Sequence, residues 1–177
     1  MLPGKWSSST ISYEAEVRMN SDFKDLLSIL NANKVKYLVV GAYAFMKHAE
    51  PRYTKDLDIW VKADKKNAAR VFKALGDFGA PLAELTDDDF AHEGFYYQVG
   101  IEPARIDVLM SIPGLRFDEA WKKRVKSDLG GVEAWILSKK DLIAAKKASG
   151  RPQDLVDIQT LTTPPIRKPR RAARKKR

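Results

Sequence analysis

The chain has 177 residues, with 32 Lys or Arg against 23 Asp or Glu and a formal net charge of +9. That length supports about one domain with a real core, and 44% hydrophobic with 31% charged residues is the make-up of a soluble globular protein. The absence of cysteine excludes a disulfide scaffold, a thiolate zinc site and a cysteine nucleophile.

The longest apolar run, Tyr37 to Met46, spans ten residues, about half of what a membrane-spanning helix requires. The N-terminal stretch lacks the apolar core of a signal peptide, so a cytoplasmic location with no membrane partner is expected. Three regions are predicted: a polar, flexible arm over residues 1–20, one folded domain over 21–162, and a disordered basic tail over 163–177. The tail carries Arg167, Lys168, Arg170, Arg171, Arg174, Lys175, Lys176 and Arg177 and no acid. Taking those eight from +9 leaves +1, so the excess charge belongs to the tail and the domain is nearly neutral.

Along the domain, Ser21 is the expected cap of a helix whose apolar positions Phe23, Leu26, Leu27 and Leu30 recur at helical spacing. Tyr37-Leu38-Val39-Val40 reads as a short buried strand ending at Gly41, and Ala42 to His48 as a helix closed before Pro51. Asp56 to Lys62 is a predicted strand and Asn67 to Phe78 an amphipathic helix. Phe95 to Val99 and Ala104 to Met110 follow as strands joined by the turn Gly100-Ile101-Glu102-Pro103. A helix is predicted over Phe117 to Lys126, a strand over Val132 to Leu137, and a helix capped by Ser138 through Ala148. Gly150-Arg151-Pro152 then turns the chain into a last helix from Gln153 to Leu161. This interleaving predicts an α/β (α+β) fold, a small mixed sheet flanked by helices and closed by a C-terminal helix pair.

The chemistry concentrates in Thr54-Lys55-Asp56-Leu57-Asp58-Ile59-Trp60-Val61. Side chains alternate faces on a strand, so Asp56 and Asp58 project together while Leu57, Ile59 and Val61 face the core. Two carboxylates one strand repeat apart, ~7 Å along the backbone, repel each other unless a cation lies between them. Hard oxygen ligands of this kind suit Mg²⁺ or Mn²⁺ and not zinc. Asp-x-Asp is common, and by itself it favours two exposed acids on an edge strand. Arg105-Ile106-Asp107-Val108-Leu109-Met110 shifts that balance, because it sets a third acid inside an apolar strand, where Asp is a poor strand former and costly to bury. If the two strands are neighbours, Asp107 completes a three-carboxylate cluster. Gly41 then supplies a strand-to-helix turn whose backbone N–H groups can hold a phosphate.

Gly41-Ala42, then Asp56-Leu57-Asp58, then Ile106-Asp107-Val108 together resemble the signature of the DNA polymerase β-type nucleotidyltransferase superfamily. The ending from Lys140 to Ile158 looks like the C-terminal helix pair of its small bacterial members, related to the abortive-infection (AbiEii-like) toxin nucleotidyltransferases. The resemblance implies the nucleotidyltransferase fold over most of residues 21–162. It further implies that Asp56 and Asp58 bind two Mg²⁺ or Mn²⁺ ions, that Asp107 binds the one activating the acceptor hydroxyl, and that Gly41 and Ala42 cradle the leaving phosphates of an NTP. Lys146 would lie beside the triphosphate, with a solvated helix lysine as the plain alternative. Ala42 departs from the family, which more often has Gly or Ser there, and so lacks a hydroxyl for a phosphate oxygen.

Other residues carry weaker signals. Arg52, Thr54 and Lys55 precede the acids and read as turn residues that could also touch a phosphate. Asp154 and Asp157 lie one helical turn apart and could pair with Lys146 or Arg151, while a helix-start acid at the N-terminus accounts for Asp154 equally well. Thr86 before Asp87-Asp88-Asp89 reads as a cap with first-turn acids rather than a metal site, His48 and His92 as structural residues, and Trp60 as a packed indole. Lys122, Lys123, Arg124 and Lys126 read as a solvated helix face. The tail's eight bases would attract nucleic acid without sequence preference.

The expected activity is transfer of an NMP from an NTP to a hydroxyl of RNA, tRNA among the candidates, with release of pyrophosphate. The resemblance adds a toxin or defence role and an antitoxin protein as partner. The alternatives are AMP transfer to a protein side chain through the same site, and a non-catalytic nucleic-acid-binding module working through the basic tail.

Overall fold

The protein is described here by a computed structural model covering residues 19–163. Helix α1, Ser21–Ala32, buries Phe23, Leu26, Leu27 and Leu30 on one stripe. Its cap is Asn20, one residue before the expected Ser21: the Asn20 carboxamide oxygen accepts the Asp22 N–H at 2.8 Å. Strand β1, Tyr37–Val39, is wholly buried, as its unbroken apolar run requires. Helix α2, Gly41–His48, follows after a single residue. Strand β2, Asp56–Val61, buries Leu57, Ile59 and Val61, and helix α3, Lys65–Phe78, is capped by Asp64. Thr86 and Asp89 close a reciprocal capping box on a short 3-10 turn, Asp87–Ala91.

Strands β3, Tyr96–Val99, and β4, Arg105–Leu109, form the expected hairpin. Helix α4 runs only from Phe117 to Lys122, and here the sequence expectation of a helix to Lys126 fails. The chain turns at Arg124, whose guanidinium lies over the rings of Trp121 and Trp135 at 4.1 and 4.4 Å. It continues as strand β5, Val125–Leu129, paired antiparallel with β6, Val132–Ile136. The solvated helix face expected of Lys122, Lys123, Arg124 and Lys126 is thereby divided: Lys126 sits on β5 and pairs with Glu133 at 2.6 Å. Helices α5, Lys139–Ser149, and α6, Pro152–Thr162, pack on each other and on α2.

The six strands make one mixed sheet in the order β3-β4-β2-β1-β6-β5, flanked by helices, which is the fold class expected. Strands β1 and β2 are antiparallel, while β4 lies parallel to β2 and β6 parallel to β1. The consequence for function is that β2 and β4, which carry the three acids, are immediate neighbours.

Candidate active site

Register decides which side chains meet. Asp56 lies beside Arg105, and Asp58 beside Asp107, on the parallel pair β2–β4. Alternation places all four on one face, opposite Leu57, Ile59, Ile106 and Val108, which are buried in the core. Gly41 closes the third side. Its φ is +57°, and a Cβ there would overlap the Asp58 carboxylate, coming within 2.7 Å of Cγ. Only glycine lets the strand-to-helix turn approach that acid so closely. Among the described residues no side chain caps the N-terminus of α2, and its first turn holds no acid. The opening N–H groups of the helix are therefore left to an anion at the edge of the acid cluster.

Each acid has its own support. Thr54 Oγ1 donates to Asp56 Oδ1 at 2.7 Å, so this turn residue orients a carboxylate. Tyr96 Oη, on the edge strand β3, donates to Asp107 Oδ1 at 2.9 Å. Arg105 Nη2 reaches Asp56 Oδ2 at 2.6 Å and Asp107 Oδ2 at 3.2 Å. The Asp58 carboxylate receives no hydrogen bond among the described residues. Burial, then the charges of Asp56 and Asp107, push its carboxyl up to about 6. Tyr96 and Arg105 were not singled out from the sequence. The available signal was parity, since Arg105 stands two residues before Asp107 and must share its face.

A second charged group adjoins the first. Lys146 Nζ is buried and bonded to Asp154 Oδ1 at 3.0 Å and Asp157 Oδ2 at 2.6 Å. Arg52 Nη1 joins Asp157 at 2.8 Å and lies over the Phe45 ring, and Arg151 Nε joins Asp154 at 3.0 Å. Burial pushes both carboxyls up, and hydrogen bonds from Lys146, aided by Arg151 on Asp154 and Gln153 on Asp157, more than reverse it. The pairing of Asp154 and Asp157 with Lys146 and Arg151 is what their spacing suggested. It also commits the Lys146 ammonium to two acids. The cation turned to solvent here is Arg151, whose side chain is 76% exposed.

Two adjoining clefts, of about 350 and 480 Å³, share Gly41, Asp56, Asp58, Lys146, Arg151 and Asp154 in their walls. Arg105 and Asp107 line the first, and Ala42, Arg52 and Thr54 the second. A wider depression of about 630 Å³ near Met19, Tyr43 and Met46 has Asp128 as its single acid. Lys55 pairs with Glu102 at 2.8 Å. Trp60 is fully buried, edge-on to Phe117. His48 bonds the Leu137 carbonyl, and His92 contacts Asp88. Arg167, Lys168, Arg170, Arg171, Arg174, Lys175, Lys176 and Arg177 lie outside the described residues.

The donor set suits a hard divalent cation in kind, being all carboxylate. It suits one in charge as well, since Asp58 faces two like charges with no hydrogen bond to relieve it. As the side chains stand, no three acidic groups among the described residues form a ready metal cluster. Arg105 lies on the outer two of the three.

Comparisons with known proteins agree with this architecture. No curated protein matches the sequence. Among solved structures, the chain is similar to the lincosamide antibiotic adenylyltransferase LnuA in its lincomycin-bound form, at 15% identity and a TM-score of 0.53, covering 82% of this chain and 97% of that one. It is also similar to a Thermotoga maritima protein assigned to the nucleotidyltransferases, at 17% identity and a TM-score of 0.50, covering 77% of this chain and 88% of that one. At such identities these likenesses establish the fold. Residues 18–163 match the family described as "Nucleotidyltransferase of unknown function (DUF6036)", and the chain belongs to that nucleotidyltransferase family.

Proposed function

We propose that the chain transfers a nucleoside monophosphate from an NTP to a hydroxyl of RNA, with release of pyrophosphate, through Asp56, Asp58 and Asp107. The observation that carries this reading is the meeting of Asp58 with Asp107 across β2–β4 and with Gly41 at the uncapped end of α2. Asp56, Asp58 and Asp107 would hold Mg²⁺ or Mn²⁺. Bound there, divalent cations would offset the charge that builds on the attacking and leaving oxygens.

The chain's own residues set a direction across the sheet. Gly41 follows β1, Asp58 lies on β2, Asp107 on β4 and Tyr96 on β3, in that spatial order. The leaving phosphates belong at the Gly41 and Ala42 end, where backbone N–H groups and Arg151 offer positive charge. The acceptor belongs at the Asp107 end, where Tyr96 holds the carboxylate in place. The acceptor hydroxyl gives up its proton toward Asp107 as its oxygen bonds the α-phosphorus. The bond from that phosphorus to the bridging oxygen of the β-phosphate breaks, and pyrophosphate departs. Lys146 holds Asp154 and Asp157, which in turn fix Arg151 and Arg52 on the phosphate side.

RNA is favoured as acceptor because the eight bases of the tail supply an electrostatic hold that a small acceptor does not need. A toxin or defence role with an antitoxin partner is what the resemblance to the AbiEii-like enzymes implies. The test incubates the full chain with each α-labelled NTP, Mg²⁺ or Mn²⁺, and total cellular RNA and protein, beside Asp58→Asn. Label in RNA that is absent from the variant supports the reading. Label in protein replaces the acceptor with a side-chain hydroxyl, and no label anywhere overturns the activity.

A further inference from the structure

The geometry points to Arg105 as a resident counter-ion that bars divalent cations from Asp56 and Asp107 until an NTP draws it away, so that cation and nucleotide bind as a coupled pair. This inference rests on the nucleotidyl-transfer reading of the same acids. Register on β4 sets Arg105 beside Asp56 and on the same face as Asp107. One nitrogen, Nη2, lies 2.6 Å from Asp56 and 3.2 Å from Asp107. The arginine therefore occupies, by charge and by contact, two of the three carboxylates a cation needs. A guanidinium stays protonated at any working pH, so only competition or relocation removes it.

Its grip is incomplete. A single nitrogen serves both acids in place of the paired fork that makes arginine–carboxylate contacts strong. Its Nε is buried without a hydrogen-bond partner among the described residues, which is costly in the state observed. Glu102 Oε1, 3.9 Å from Nη1, offers the guanidinium a further carboxylate beside the cluster. The side chain also borders the cleft that Gly41 and Arg151 line. A polyphosphate entering that cleft brings a competing anion for the guanidinium. A cation arriving alone must displace Arg105 with only Glu102, already paired with Lys55, to receive it, whereas a cation arriving with NTP brings a further anion. The coupling is reciprocal, so each of the two tightens the other. With no cation bound, the same arginine offsets part of the charge of Asp56 and Asp107.

Mn²⁺ binding to the full chain, followed by electron paramagnetic resonance, tests this with wild type, Arg105→Met and Arg105→Lys. Each is titrated alone and with α,β-methylene analogues of the four NTPs. Wild type should bind Mn²⁺ weakly alone and roughly tenfold or more tightly with an analogue. Arg105→Met should bind Mn²⁺ alone roughly tenfold more tightly than wild type, gain little from the analogue, and show the larger rise in melting temperature with Mn²⁺. A folded Arg105→Met that binds Mn²⁺ alone no better than wild type overturns the inference and leaves the activity standing. Should Arg105→Met fail to fold, Arg105→Lys decides: tighter binding than wild type supports the inference, and unchanged or weaker binding overturns it. Failure of every protein to bind Mn²⁺, even with the analogues, overturns the inference and the nucleotidyl-transfer reading together.

Discussion

Asp58 and Asp107 stand side by side on neighbouring parallel strands, two carboxylates in one register of a half-buried sheet face. Like charges so placed destabilise a sheet. Arg105 offsets part of that cost through Asp56 and Asp107 but makes no contact with Asp58. The arrangement costs stability when no cation is bound, and it is what a hard cation held against a phosphate would require.

The pH dependence of stability reports this directly. The Asp58 carboxyl is raised from 3.8 to about 6, so the folded state holds that proton more tightly than the unfolded state. Its contribution is fully present below about pH 4 and is lost as pH rises through about 6. Asp58→Asn removes the decline. In metal-free buffer the variant should gain on the order of 2 kcal/mol over wild type between about pH 4 and pH 7, read from urea midpoints. A difference constant across that range would contradict the assignment.

Gly41→Ala places a methyl group against the Asp58 carboxylate at a left-handed backbone position. Label transfer should fall by roughly a hundredfold, with about 1–2 kcal/mol of stability lost to backbone strain. Gly79→Ala is the control, because Gly79 has φ +86° and open space where its Cβ would go. It should cost similar stability and leave transfer unchanged. Equal transfer by both variants would remove Gly41 from the site.

Lys146 is the centre of a buried ion cluster, so its loss should be felt first as stability. Lys146→Met leaves Asp154 and Asp157 with no ammonium between them and should cost about 3–5 kcal/mol in urea denaturation. Adding Asp154→Asn and Asp157→Asn to that variant should recover part of the loss. A cost below about 1 kcal/mol would show that Arg52 and Arg151 suffice to hold the two acids.

Local pattern made much of the fold legible. The apolar stripe of α1, the run Tyr37-Leu38-Val39 and the Ser138 cap each state their element within a few residues. The acids at 56, 58 and 107 were legible because a period of two sets charge on one face of an otherwise apolar strand. Strand β5 was not, since Val125-Lys126-Ser127-Asp128-Leu129 is as polar as a helix surface and follows a real helix. The overlooked cue is Gly130-Gly131, a two-residue hairpin signature. The part played by Arg105 depends on which strand lies next to β4, and no local spacing encodes that neighbour.

Removing residues 166–177 should make RNA binding less sensitive to salt, because eight bases leave with the segment. The slope of log affinity against log salt should shrink by about 0.7 for each single-strand phosphate that the tail no longer neutralises. Filter binding between low and physiological salt measures it. An unchanged slope would take the tail out of acceptor recognition.

The most direct test of the account uses one NTP labelled in parallel at the α- and the γ-phosphate. Nucleotidyl transfer by Asp56, Asp58 and Asp107 predicts α-label in the macromolecular acceptor, an equal amount of γ-label in free pyrophosphate, and loss of both with Asp107→Asn. Appearance of γ-label on the acceptor, or transfer that survives Asp107→Asn in a folded protein, would contradict it.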